Sequence, residues 1–219
     1  PHRRMKKYYF IHIPKCAGLS VCRAIGMRDD YIHHKRLRKV PPHFIDEKTY
    51  VFATVRNPYD RAISVASFLR ERAWDRYWDD HPLNILDKDD YINDFWENYV
   101  QDFHIETGIL FSNQISFLEG EETGRISSRI DKVLHYDTLH QEWAQLRSDF
   151  GWGELPHYHK SHFRPDGSPS DILSEASRKR IANYYGCDFK ALGYDLNLPV
   201  GINKTMRVKL RPKRKPSGG

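Results

Sequence analysis

Residues 8–13, Tyr-Tyr-Phe-Ile-His-Ile, form a short aromatic and β-branched run that stops at Pro14, the pattern of a buried strand. The next residues, Pro14-Lys15-Cys16-Ala17-Gly18-Leu19-Ser20, read as a loop, after which Val21, Ala24 and Ile25 fall at helical spacing. The same order recurs further on. Tyr-Val-Phe-Ala-Thr-Val at 50–55 breaks at Arg56-Asn57-Pro58 and continues into a helix with Ala62, Val65, Ala66 and Leu69 on one face. Two strand-loop-helix units predict an α/β fold with a central parallel sheet flanked by helices. Residues 131–136 are a third strand candidate, followed by a helix through Leu139, Trp143 and Leu146. A last helix is expected from Ser174 to a cap at Gly186. Residues 74–119, rich in Trp, Tyr, Asp and Asn, show helical spacing around Tyr91 to Phe103 and are expected to be helical and to cover a cleft.

A chain of 219 residues suits one α/β domain with a full core. Its 39% hydrophobic and 29% charged residues exclude disordered and fibrous classes. The net charge of +6 lies in the ends: Arg3, Arg4, Lys6 and Lys7 at one, and seven cations from Lys204 to Lys215 at the other. Residues 8–200 hold 24 of the 35 cations and all 29 acids, a net of −5. A pI of about 9.1 therefore does not argue for nucleic acid, which needs a basic face on the folded surface, and no DNA or RNA signature motif is present. Residues 1–7 read as an N-terminal extension, with Pro1–Arg4 preceding Met5 as vector residue would; 8–200 read as the single domain and 201–219 as a basic, flexible tail. Cys16, Cys22 and Cys187 lack zinc or dithiol spacing and point to a reducing, cytoplasmic or otherwise soluble setting. No run of about 18 apolar residues is present to span a membrane.

The first loop carries the chemistry. A strand that ends in a loop and opens a helix aims backbone N–H groups and the helix dipole at an anion. Gly18 is expected to let the backbone approach that anion closely, with a Ser20 hydroxyl and the Lys15 ammonium as further donors. A P-loop of the ATPase kind places its lysine after the second glycine; here Lys15 precedes the loop's one glycine, which also argues against a nucleotide kinase. The bland alternative is a polar turn that starts a helix. Arg56 and Ser64, eight residues apart at the same place in the second unit, can face one crevice and hold a second phosphate. Two such sites on adjacent strands imply a ligand with two phosphate-like ends.

HIPKCAGLS resembles the 5′-phosphosulfate loop, often HIPKTAGTS, and VRNPYDRAIS the 3′-phosphate motif, of sulfotransferases that use 3′-phosphoadenosine 5′-phosphosulfate (PAPS). The chain is most similar to carbohydrate sulfotransferases related to heparan sulfate 2-O-sulfotransferase, from residue 8 to about 195. The two motifs stand in order, 41 residues apart from Lys15 to Arg56. The resemblance implies a P-loop-like sulfotransferase fold and transfer of a sulfuryl group from PAPS to a hydroxyl, giving PAP and a sulfate ester without a metal. It implies PAPS contacts from Pro14, Lys15, Cys16, Ala17, Gly18, Leu19 and Ser20 at the 5′ end and from Arg56 and Ser64 at the 3′ end. Lys160 and Ser161, in a late polar loop, would return over the 3′-phosphate. Cys16 and Leu19 replace the family's threonines, which leaves backbone donors there. The acceptor implied is a glycan hydroxyl, with protein tyrosine, lipid or small alcohol as alternatives; a non-catalytic PAPS-binding protein is a further alternative. A luminal domain of a Golgi enzyme is the alternative location.

Sulfuryl transfer needs a base for the acceptor proton. His34, with His33 in reserve, lies between the two motifs, where the related enzymes carry a histidine proposed as base; the alternative is a solvated face within HHKRLRK. His12 reads as a packed strand residue and His43 as a further candidate. His157, His159 and His162 have no acid or cysteine to complete a ligand spacing, so they read as a loop and not as a zinc site. Trp74, Trp78 and Trp96 are candidates to stack on sugar faces, with core packing as the alternative.

Overall fold

In the computed structural model, residues 7–28, 33–76, 90–156 and 161–197 are described. Strands β1 (Tyr8–Ile11), β2 (Tyr50–Val55) and β3 (Lys132–His135) form a parallel sheet in that order, with β2 in the middle. Tyr8 pairs with Tyr50 and Ile11 with Ala53; Phe52 pairs with Lys132 and Val55 with His135. Helices α1 (Gly18–Ala24), α2 (Pro58–Arg76) and α6 (Leu139–Phe150) follow the three strands. Between α2 and β3 lie α3 (Tyr91–Asp94), which runs into a π-helical turn at Phe95–Tyr99, then α4 (Asp102–Thr107) and α5 (Ile115–Leu118). The chain closes with α7 (Pro169–Ile172) and α8 (Glu175–Leu192).

Because successive strand residues point to opposite faces, the sheet is buried on both sides. Phe10, Phe52 and Leu134 pack against Val21 and Cys22 of α1 and Leu139, Trp143 and Leu146 of α6. Ile11, Val51, Ala53 and Val55 face α2 and α8, where Ile63, Ile181 and Phe189 are fully buried. Each such side chain contributes about 1.5–3 kcal/mol relative to exposure. Among the described residues, no helix is long and apolar enough to cross a membrane, and all three cysteines are free thiols.

Two expectations change. The pairing of β1 ends at Ile11; His12 and Ile13 stay buried as the chain leaves the sheet toward the loop. The last helix does not stop at Gly186: it kinks at Tyr185 (φ −114°, ψ 19°), one residue before the expected cap, and helical structure resumes to a left-handed cap at Gly193, with Ile181, Tyr185, Phe189 and Leu192 buried on either side of the kink. Its start at Ser174 stands: the Ser177 N–H donates to Ser174 Oγ at 3.0 Å. The region around Tyr91 to Phe103 is helical in short pieces, set in the core by the fully buried Phe95 and Trp96.

Candidate active site

The first loop is held in shape by the second strand and its helix. Thr54 Oγ1 of β2 donates to Cys16 O at 2.6 Å, Arg61 Nε of α2 to Pro14 O at 3.0 Å, and Arg56 Nη1 to Lys15 O at 3.3 Å. These bonds sustain φ values of 65° at Lys15 and 61° at Ala17. The left-handed region costs residues with a Cβ about 1–2 kcal/mol each. Left-handed backbone at Lys15 and Ala17 on either side of Cys16 is the alternation of hand found in anion-binding nests. Among the described residues, no acceptor meets the N–H groups of Gly18, Leu19 and Ser20, which open α1 without a side-chain cap.

The reason for the glycine differs from expectation. A Cβ on Gly18 would lie 1.8 Å from Cδ2 and 2.0 Å from Nε2 of His12, so the space beside its Cα holds a buried imidazole and not a ligand. Cys16 also turns away from the loop: its thiol is fully buried, donates to Gln114 Oε1 at 3.1 Å, and is pushed up to about 11 by burial. Leu19 is exposed and Ser20 partly so.

Lys15 Nζ lies 4.1 Å from the centroid of the Phe68 ring. Burial, then the neighbouring Arg56 charge, pulls this ammonium down to about 8. Arg56, buried at the end of β2, pairs through Nε with Asp60 Oδ2 and stacks 4.1 Å from the Tyr136 ring centroid. Arg164 Nη2 donates to the other oxygen of the same carboxylate at 2.5 Å, while its Nη1 is buried without a hydrogen-bond partner. Against burial, which pushes Asp60 up, the two guanidinium charges hold its carboxyl below the usual range. Ser64 sits partly buried on α2, two turns beyond Arg56. Ser161 Oγ donates to Ser67 O of α2 at 3.3 Å; Lys160, His157 and His159 lie outside the described residues.

The two histidine candidates separate. His33 is exposed, whereas His34 is half-buried, with its ring centroid 4.2 Å from that of His12. His34 Nδ1 is 3.0 Å from His12 O, and a carbonyl oxygen only accepts, so Nδ1 carries the hydrogen and Nε2 the free lone pair. Burial holds His34 below its ordinary value, with the bond to His12 opposing in part. His12 is pushed down to about 3 by burial and by His34, so it is neutral. His43 and His162 are exposed. Trp96 is fully buried and donates to Ala62 O at 3.2 Å, which makes it core and not a sugar platform. The Trp74 side chain and Trp78 lie outside the described residues. Among the described residues, no group of three or more His, Cys, Asp or Glu could hold a metal.

Sequence reasoning misses Arg61, five residues after Arg56 in the same motif, and Gln114, Arg164 and Asp188, which join the site from far along the chain. Asp60 was within reach, standing one helical turn after Arg56. No family model, curated protein or solved structure matches the chain.

Proposed function

We propose that the chain is a sulfotransferase that moves a sulfuryl group from PAPS to a hydroxyl, with a glycan as the first acceptor to try. The observation that carries this is the tie between the two loops: parallel strands β1 and β2 end side by side, and Arg56 reaches across to Lys15 O. The donor set suits two phosphates. Free N–H groups at Gly18, Leu19 and Ser20 with Lys15 form one position; Arg56, Ser64 and the unpartnered Nη1 of Arg164 form the other. PAPS supplies the activated sulfuryl group. Lys15 is the cation available to offset negative charge on the departing phosphate. His34, neutral and with Nε2 free, accepts the acceptor's proton.

The test is thermal melting with PAP. A ligand at a hundred times its Kd that binds only the folded state adds about 2.7 kcal/mol, which raises Tm by about 5–10 °C for a chain of this size. ATP, which has no 3′-phosphate, should shift Tm far less. No shift with PAP, or a larger one with ATP, would refute the proposal. Incubation with PAPS and a panel of glycans, peptides and lipids, with mass detection of an added sulfo group, identifies the acceptor.

A further inference from the structure

The segment from Gly108 to Leu118 joins both loops through one side chain. Gln114 is fully buried. Its Oε1 accepts from the Arg56 backbone N–H at 2.9 Å and from Cys16 Sγ at 3.1 Å, and its Nε2 donates to Arg56 O at 2.8 Å. The amide orientation is fixed by chemistry, since the Arg56 N–H can only donate and its carbonyl can only accept. A single amide thus grips the main chain where β2 ends and a side chain inside the loop that follows β1. Neither loop can shift along its strand without breaking one of these bonds.

The amide is itself anchored. The N–H groups of Gln114 and Ile115 donate to the two oxygens of Asp188, each at 2.8 Å, and Asp188 is fully buried on α8. Arg61 ties the first loop to the same segment, donating to Pro14 O at 3.0 Å and Leu110 O at 2.9 Å. With the function above as premise, we propose that Gln114 is a positioning residue that fixes the separation of the 5′- and 3′-phosphate sites. A two-ended ligand gains over a one-ended one only when its second end falls where the first end leaves it, so a small change in loop spacing removes that gain. A residue that only filled the core would affect one-ended and two-ended ligands alike.

Dissociation constants of PAP, adenosine 5′-phosphate and adenosine 3′-phosphate, measured by calorimetry on wild type, Gln114→Asn and Gln114→Met, separate these outcomes. Asparagine keeps the amide one methylene short of spanning both loops; methionine keeps the bulk without the amide. In both variants the preference for PAP over each monophosphate should fall by about tenfold or more, while each monophosphate's own constant changes less than about threefold. If Gln114→Met does not fold, Gln114→Asn decides alone. Equal weakening of all three ligands, or none, would overturn the role of Gln114 and leave the proposed function standing. A wild type without preference for PAP would overturn that function and the role of Gln114 with it.

Discussion

Replacing Gly18 with alanine tests the packing at the heart of the first loop. The added Cβ would sit 1.8 Å from His12 Cδ2, where ordinary contact begins near 3.4 Å, so the ring must retreat by about 1.6 Å. It has little room to do so. The ring is buried, and the His34 and Phe10 rings lie 4.2 and 6.0 Å from its centroid. Overpacking costs about 1–3 kcal/mol, and an overlap this large belongs at the upper end. At about 2–4 °C per kcal/mol for a chain of this size, Tm should fall by roughly 6–12 °C. The assay is thermal unfolding of Gly18→Ala, His12→Ala and the double variant, without ligand. Once His12 is alanine the clash is gone, so the second substitution should cost within about 0.5 kcal/mol, giving a coupling of about 2–3 kcal/mol. A single variant within about 2 °C of wild type, or a double variant without coupling, would refute the steric account.

Two further expectations follow from the titrating groups. His34→Ala should keep the PAP melting shift, lose about 10²-fold or more in turnover, and lose the acidic limb of the pH-rate profile, whereas His33→Ala stays near wild type; the reverse pattern would move the base by one residue. Lys15 is held near 8 in the fold against 10.5 for a free lysine, so between those pH values the unfolded chain binds more protons and stability should rise with pH. Urea titrations from pH 7.5 to 10.5 should show that rise in wild type relative to Lys15→Met, and parallel curves for the two would show that Lys15 is not desolvated.

The fold was legible wherever structure is local. The runs at 8–13 and 50–55, each followed by a break and a helical face, were enough for β1, α1, β2 and α2, because a buried parallel strand and an amphipathic helix write themselves in consecutive residues. Gly186 marks a kink at Tyr185 and not the end of α8, for the same reason. A glycine is a local stop signal, and the force that carried α8 past it is contact between Phe189, Leu192 and a core assembled from other elements. In the site, Lys15 and Arg56 were legible through their places at strand ends. Gln114 stands 58 residues from Arg56, and Arg164 stands 104 from Asp60, so their roles exist only after the chain closes. His33 and His34 are adjacent in sequence and read alike; burial and one bond to His12 O tell them apart.

Charge explains why these pieces belong together. Arg56 and Arg164 share one carboxylate, Asp60, and Lys15 lies close enough to Arg56 for that charge to help lower its proton affinity. Asp60 is not the one acid here: Asp137 lies close enough to feel the charges of Asp60 and Arg56, and Glu71 close enough to Lys15 to oppose the lowering of its proton affinity. Asp60 binds one edge of each guanidinium, so Nη1 of Arg56 is left to reach Lys15 O and, among the described residues, Nη1 of Arg164 is left without a hydrogen-bond partner. On the function proposed above, a phosphate that reaches Nη1 of Arg164 displaces no other partner.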